Sequence, residues 1–190
     1  MQTYVALLYS IILGEGRRVV MSDLKAMADG LGLKNVRTLV ATGNLVFEAP
    51  VTEIAGLEER LEAAFEIAFG RHVDIIVRGA ADWLRLAAGN PFADESATAA
   101  DQVAVRVMRQ PVPDEAIAAL RSYVGVDEKM QAVGGDIWIF FSRATPNSRL
   151  LTATSHKRLG IGTSRNWNTV RKLAEMVGAK DLGRHSAAPK

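Results

Sequence analysis

The first part of the chain alternates between strand-type and helix-type hydrophobic spacing. Residues 3–9 are apolar at both odd-numbered and even-numbered positions, which predicts a strand buried on both of its faces. Ser22 follows as the predicted N-cap of a helix in which Leu24, Met27 and Leu31 recur at helical spacing. Between this strand and this helix lies a loop, residues 10–15, that is apolar and contains glycine.

The next segments predict a hairpin, a helix and a strand. Residues 36–41 and 45–49 are short β-type runs joined by Thr42-Gly43-Asn44, and Thr52 is a predicted cap for a second helix. The apolar stripe of that helix is predicted at Ile54, Leu57, Leu61, Phe65 and Ala68, and its solvent face at Glu58, Glu59, Glu62 and Glu66. A strand at 73–78 completes the order βαββαβ, which is typical of a ferredoxin-like fold.

The second part of the chain predicts a similar order that ends differently. A short helix at 80–88 and an acidic surface loop at 93–101 precede a strand at 102–108 and a helix opened by Pro113. Two strands, 129–133 and 136–141, follow and meet at Gly134-Gly135, and helices are predicted at 147–159 and 167–177. The predicted order is therefore βαββαα, with a helix where a fourth strand would stand.

These patterns predict an α+β protein of two ferredoxin-like subdomains packed into one compact unit. The first subdomain is predicted at residues 1–92, the second at 93–178, and a loose tail at 179–190. A chain of 190 residues with 48% hydrophobic positions is long enough to bury such a core.

Composition and charge narrow the classes of function. The chain has no cysteine, which excludes disulfides and thiolate chemistry and fits a cytoplasmic location. The apolar run at 5–13 is interrupted by Ser10 and is too short for a membrane span, so no membrane association is expected. The net charge of +2 is unevenly distributed: from residue 143 onward there are ten Lys and Arg against two acids, whereas the preceding residues sum to −6. This asymmetry favours an anionic small molecule or nucleic acid as partner, although it also suits the solvated faces of the last helices.

Familiar catalytic signatures are absent. The histidines, His72, His156 and His185, show no metal-ligand spacing, and there is no GxSxG or GxxxxGK[ST] motif. Gly14-Glu15-Gly16 lacks the third glycine of a dinucleotide loop. We therefore expect no metal and no cofactor.

The stretch T-S-R-N-W-N-T-V-R-K-L, residues 163–173, is the candidate site. With Asn166 or Ser164 as N-cap, Arg165 is predicted at the mouth of the last helix, where the free N–H groups and the helix dipole favour phosphate or carboxylate. The predicted ligand contacts and supporting charges are Arg165, Asn166, Asn168, Thr169, Lys157, Arg17 and Arg18. A structural interpretation is also coherent: Trp167 and Val170 lie on a helical apolar stripe, Asn166 only caps the helix, and Arg165 pairs with a carboxylate of the first half.

Several short motifs follow one another along the chain: YVALL, Met21 with Leu24, VRT followed by TGNLVF, NPF, SRL and, most specifically, SRNWNTVRKLAEM at 164–176. In these motifs, from Tyr4 to about Val177, the chain resembles the bacterial domain of unknown function 1697 family. The resemblance implies a two-part α/β fold with ferredoxin-like elements and implies no activity. Where the family usually has R-G-I-N-V-G-G, residues 9–15 have Y-S-I-I-L-G-E, which removes donors from the loop and adds the charge of Glu15.

Three hypotheses of function follow from these features. The first is a binding module that holds a nucleotide or a nucleic-acid phosphate at the start of the last helix. The second is an enzyme acting on a phosphorylated small molecule with the same residues. The third is a protein-interaction module, with self-association, that uses the apolar loop at 10–15 and an exposed Ile11, Ile12 and Leu13.

Overall fold

A computed structural model of the chain describes residues 1–14, 16–39, 43–141 and 148–185, the last seven of these by their backbone alone. The protein is of mixed α+β type, with antiparallel sheets and helices, as the sequence predicts. The chain forms two compact units, one of residues 1–85 with 172–190 and the other of residues 86–171. This division falls before the predicted boundary at residue 92 and assigns the end of the last helix to the first unit. In the described part of the chain, no helix is both long and apolar enough to span a membrane.

The first unit contains a four-stranded sheet in the order β4-β5-β1-β6. Its elements are β1 (Gln2–Leu8), β2 (Ile12–Gly14), β3 (Arg17–Arg18), α1 (Met21–Gly30), β4 (Lys34–Leu39), β5 (Asn44–Ala49), α2 (Ile54–Phe69) and β6 (Ile75–Gly79). All neighbouring strands in the sheet are antiparallel. The helix α3 (Ala80–Ala88) follows and spans the division between the units.

Strand β1 is buried on both faces, as its uninterrupted apolar run predicts. Tyr4, Ala6 and Leu8 pack in a cluster with residues of α1 and α2, and Val5 and Leu7 on the opposite face are also fully buried. The rings of Tyr4 and Phe47 on the neighbouring strand stack with centroids 5.7 Å apart. Both faces of this strand are therefore removed from solvent.

The loop after β1 is not the exposed apolar segment that the interaction hypothesis expects. Ile11 is buried at 7% exposure and belongs to the main core cluster, and Leu13 packs against that cluster. A side chain at Gly43 would lie 2.6 Å from Ile11 Cγ2, so the glycine makes room for this packing. Ile12 alone of the three is strongly exposed, at 48%. Ile12 begins β2, which pairs with β3 in a two-stranded ribbon that the hydrophobic pattern does not predict.

The second unit contains another four-stranded antiparallel sheet, in the order β10-β7-β9-β8. Its elements are α4 (Ala93–Thr98), β7 (Val103–Met108), α5 (Asp114–Arg121), β8 (Lys129–Val133), β9 (Asp136–Phe140), α6 (Arg149–Ala153), α7 (His156–Leu159) and β10 (Gly162–Asn166). The last helix, α8 (Trp167–His185), begins in this unit and ends in the first.

Several predicted elements of the second unit are wrong. The predicted order βαββαα lacks β10, a polar five-residue strand without the apolar alternation that marks strands in sequence. The predicted loop at 93–101 contains α4, whose first turn carries Asp94 and Glu95, which favour a helix start. The single helix predicted at 147–159 is divided into α6 and α7 because Ser155 has an extended backbone.

Some predictions fall outside the described residues. These are residues 40 and 41 at the end of a predicted strand, Thr42 of the predicted hairpin turn, Asn147 at the start of a predicted helix, Glu15 in the altered loop, and residues 186–190 of the predicted tail. The earlier part of that tail continues α8 to His185.

The carboxylates of α2 are not all on a solvent face, contrary to the sequence prediction. Glu58 is buried at 6% exposure, and its Oε1 accepts a hydrogen bond of 2.9 Å from the backbone N–H of Val77. Glu62 likewise accepts from the N–H of Ile75 at 2.9 Å. Because β6 is the edge strand of its sheet, the two glutamates occupy donors that would otherwise invite pairing with another strand.

We predict that Glu58→Ala lowers the free energy of unfolding by about 1–3 kcal/mol, since it leaves the buried N–H of Val77 without its acceptor. Glu59→Ala, an exposed position one residue along the same helix, is the matched control and should change stability by no more than about 0.5 kcal/mol. Urea denaturation of the two variants measures the difference. Equal effects would show that the Glu58 hydrogen bond contributes nothing beyond helix propensity.

Candidate functional site

The candidate site begins with the pairing of β10 against β7. The register runs antiparallel from Gly162 opposite Met108 to Asn166 opposite Ala104. A Cβ at Gly162 would lie 2.5 Å from Met108 Sδ and 3.1 Å from the Val107 carbonyl oxygen. A side chain at this position would therefore displace Met108 and crowd the backbone of β7, which favours glycine here.

Asn166 caps the helix that follows the strand. Its Oδ1 accepts hydrogen bonds from the backbone N–H of Thr169 at 3.1 Å and from Thr169 Oγ1 at 3.0 Å. Of the two N-caps left open by the sequence, the structure thus selects Asn166, while Ser164 is an exposed strand residue. The side chains of Asn166 and Thr169, both predicted as ligand contacts, are engaged with each other.

Arg165 is not exposed at the mouth of the helix as predicted. It belongs to β10 and is buried at 7% exposure, where its Nη1 donates to Thr163 Oγ1 at 2.8 Å and to the Ser164 carbonyl at 2.9 Å. Burial lowers the pKa of Arg165 to about 10, so the guanidinium remains charged at neutral pH. The strand pairing, which the sequence pattern does not reveal, turns this side chain into the interior.

A cleft of about 540 Å³ lies beside the first turns of α8, within the second unit. Helix α8 contributes Trp167, Asn168 and Arg171 to its wall, and the other lining residues are small or amide side chains. These are Ala87, Ala88, Asn90, Ala93, Ser96, Ala97 and Ala100. The cleft therefore combines an aromatic ring, a set of alanine methyl groups and a few polar groups, the usual mixture in a ligand site.

Some polar groups of the cleft already form hydrogen bonds within the protein, and others do not. Asn90 Nδ2 donates to Ser96 Oγ at 2.8 Å, and Asn90 Oδ1 accepts from the N–H of Phe92 at 2.9 Å, so this amide is used for local structure. Asn168, which is half-buried, and Arg171, which is exposed, have no hydrogen bond or ion pair with any residue that the structure describes. These two side chains are therefore free to contact a ligand.

Trp167 packs beside a buried tryptophan and is also a lining residue of the cleft. It is half-buried, and its ring lies 6.0 Å from that of the buried Trp138 at an interplanar angle of 53°. The same residue lines the cleft. Packing against Trp138 holds the indole in place, which lowers the entropic cost of presenting it to a ligand.

The remaining predicted site residues do not line this cleft. Lys157 is exposed on α7 in the second unit, and Arg17 and Arg18 are exposed on β3 in the first unit. Conversely, the sequence prediction missed Arg171 as a lining residue. The spacing from Trp167 to Arg171 is i, i+4, which places both on one face of a helix and is the signal that could have identified it. Within the described residues there is no cluster of three or more His, Asp or Glu side chains that could hold a metal ion.

Comparisons with known proteins identify a family and a shared fold. The sequence model of the family described as Protein of unknown function (DUF1697) matches residues 1–138. The solved structure of conserved bacterial protein SP0830 from Streptococcus pneumoniae is similar, with a TM-score of 0.71 and 23% sequence identity over 94% of this chain and 99% of that chain. At this identity the likeness shows the fold alone. No curated protein matches the chain. The family match ends before β10 and α8, so it includes Asn90 and Ser96 of the cleft but not Trp167, Asn168 or Arg171.

We predict that Arg165→Glu lowers the free energy of unfolding by about 3 kcal/mol or more, because it places a carboxylate in a buried position beside a carbonyl oxygen. Arg171→Glu is the matched control. It reverses the same charge at an exposed position near the start of α8, where acidic groups suit the helix dipole, and should change stability by less than about 1 kcal/mol. Thermal and urea denaturation test the pair. If both variants were equally mild, the guanidinium of Arg165 would not be buried in solution.

Proposed function

The chain belongs to the DUF1697 family of proteins of unknown function, and we propose that this member is a binding module for an anionic ligand, specifically a nucleotide. The ligand occupies the cleft at the N-terminal end of α8. The observation that carries this proposal is that Trp167, Asn168 and Arg171 lie on one cleft wall, where the amide of Asn168 and the guanidinium of Arg171 have no partner among the described residues.

The charges around the cleft favour an anion. Arg171 has no ion pair among the described residues, and none of the described lining residues is acidic. The N-terminal end of a helix also carries partial positive charge, which adds to that of Arg171. Arg165 is buried and bonded to Thr163 and Ser164, so we assign it a contribution to the local positive potential rather than a direct contact.

The size and wall composition of the cleft favour a nucleotide over a bare anion. A volume of about 540 Å³ is within the usual range for small-molecule sites. In the proposed complex, the base packs against Trp167 and the alanine methyl groups, and the phosphate lies toward Arg171 and Asn168. Stacking on an aromatic side chain contributes roughly 1–3 kcal/mol per base in other nucleic-acid binders.

Binding rather than catalysis is proposed because the lining residues supply donors and one charge, without a carboxylate or imidazole to transfer a proton. The hypothesis of an enzyme acting on a phosphorylated small molecule stays a prediction from the sequence. Lys157, Arg17 and Arg18 are not included in the proposed site because none of them lines the cleft.

We also interpret each unit as ferredoxin-like. In support of this interpretation, both sheets place their four strands in the same order: fourth, first, third and second along the chain. Helices α1 and α2 connect strands in the first unit, and α5, α6 and α7 do so in the second. Repetition of one order in both units agrees with the architectural repeat expected from the sequence.

The predicted location and self-association also remain proposals. The absence of cysteine fits a reducing compartment, and we retain the cytoplasm as the proposed location. Self-association through residues 10–15 loses two of its three proposed contacts, because Ile11 is buried and Leu13 packs on the core.

Binding is tested by titrating the protein with AMP, ATP and inorganic phosphate while following tryptophan fluorescence and melting temperature. We predict that a nucleotide quenches the fluorescence of Trp167 and that Arg171→Gln weakens its binding roughly tenfold or more, the loss expected for one hydrogen bond to a charged group. Lys172→Gln removes an exposed charge at the adjacent position, outside the cleft, and should bind like the wild type.

Two outcomes would contradict the proposal. One is the absence of any change in fluorescence or melting temperature with all three ligands. The other is an equal loss of affinity in the Arg171 and Lys172 variants, which would indicate diffuse electrostatic attraction instead of a site. The dependence on salt gives a further criterion, since a pocket for a nucleotide should respond less steeply than a surface that binds a polymer.

A further inference from the structure

A second group of cations surrounds Tyr123, which is half-buried just after helix α5. The guanidinium carbon of Arg158 lies over the tyrosine ring at 4.8 Å from its centroid, and that of Arg149 at 5.7 Å. By the sum of these two distances, the guanidinium carbons are at most 10.5 Å apart. One aromatic ring thus holds two arginines from different helices close together.

The core of the second unit fixes the helices that carry these arginines. Leu150 and Leu159, each adjacent to one of the arginines in sequence, are buried in the same cluster, against which Tyr123 also packs. Ser148 caps α6 by accepting a hydrogen bond of 3.1 Å from the N–H of Leu151. Because the neighbouring leucines point into the core, Arg149 and Arg158 remain exposed.

The cluster has positive charge without a matching carboxylate. Neither Arg149 nor Arg158 forms an ion pair with any residue in the described part of the chain, and the same holds for the exposed Lys157 next to Arg158. Contact with the tyrosine ring compensates only part of the repulsion between the guanidinium groups. An anion that contacted both groups would offset this repulsion further.

The hydroxyl of Tyr123 lies within the field of these cations. A hydrogen bond from Arg158, together with the charges of Arg158 and Arg149, lowers the pKa of Tyr123 below its ordinary value. When the phenol is neutral, its O–H can still donate to an acceptor. The cluster can therefore offer two planar guanidinium forks and one hydroxyl donor to a single group of oxygen atoms.

We propose that Arg149, Arg158 and the hydroxyl of Tyr123 form a binding site for a phosphate group carried by a ligand, separate from the cleft at α8. The guanidinium groups bind the phosphate oxygens through charge-assisted hydrogen bonds, and Lys157 adds to the attraction. The phosphate belongs either to the backbone of a single-stranded nucleic acid or to a small phosphorylated molecule. The site uses none of the cleft residues and does not rest on the proposed nucleotide function.

Two ligands distinguish the sources of the phosphate. A fluorescently labelled single-stranded oligonucleotide is followed by anisotropy, and tripolyphosphate is followed by calorimetry. Binding of the oligonucleotide alone identifies a nucleic-acid backbone as the ligand, and binding of tripolyphosphate with comparable or greater affinity identifies a small phosphorylated molecule. Binding of neither overturns the proposal.

The variants locate the binding on the protein. Arg149→Gln with Arg158→Gln removes both charges while keeping long polar side chains, and should weaken binding roughly tenfold or more. For the oligonucleotide it should also reduce the slope of log K against log salt by about 1.4, since each lost contact to a single strand contributes about 0.7. The matched control is Lys34→Gln with Lys172→Gln, two exposed cations outside the cluster and without ion pairs among the described residues. An equal loss in the control overturns the proposal.

A spectroscopic measurement tests the role of Tyr123 directly. Ionisation of tyrosine is followed by ultraviolet absorbance, and the Tyr123→Phe variant identifies the transition that belongs to this residue among the chain's three tyrosines. Bound phosphate should move that transition to higher pH, because the anion opposes the charges that lower the pKa. A saturating ligand that leaves the transition in place would show that it binds elsewhere.

Discussion

The antiparallel pairing of β10 with β7 is the constraint on which the candidate site depends. It favours glycine at position 162, where a Cβ would lie 2.5 Å from Met108 Sδ and 3.1 Å from the Val107 carbonyl oxygen. The register then fixes where the strand ends, and Asn166, its last residue, caps α8. Because the helix starts directly after this residue, the directions of Trp167, Asn168 and Arg171 follow from the strand pairing. A change of register would move the part of the cleft wall that α8 contributes.

The elements that the sequence predicts well are those specified by local pattern. The doubly apolar run of β1 and the helical stripe of α2 are visible because burial repeats at the period of the element itself. Strand β10 has no such pattern, since its polar residues take their conformation from the neighbouring β7. Glu58 shows the same limit. The helical spacing of α2 predicts Glu58 on the solvent face. The edge strand β6 supplies the N–H of Val77 that pairs with the buried carboxylate, and this strand is distant from Glu58 in the spacing pattern.

The same distinction separates the parts of the site. The cap by Asn166 was predictable because its partner, Thr169, is three residues away along the chain. The burial of Arg165 was not, since it depends on strands that are distant in sequence. The sequence alone therefore predicts an exposed Arg165 at the mouth of the helix, whereas the structure buries this residue. In the proposed site the ligand contact is therefore the exposed Arg171 and not the buried Arg165.

The number of basic residues in a sequence segment overstates the number of cations that a ligand can contact. The C-terminal part of this chain shows why. Among the ten basic residues from position 143 onward, Arg165 is held inside by hydrogen bonds to its own strand. Arg149, Lys157, Arg158 and Arg171 are exposed and lack ion pairs with any described residue. A solvated arginine loses little when an anion replaces water, whereas a buried one has already exchanged its water for protein acceptors. Exposed, unpaired cations beside an aromatic ring therefore indicate anion binding more strongly than net charge does.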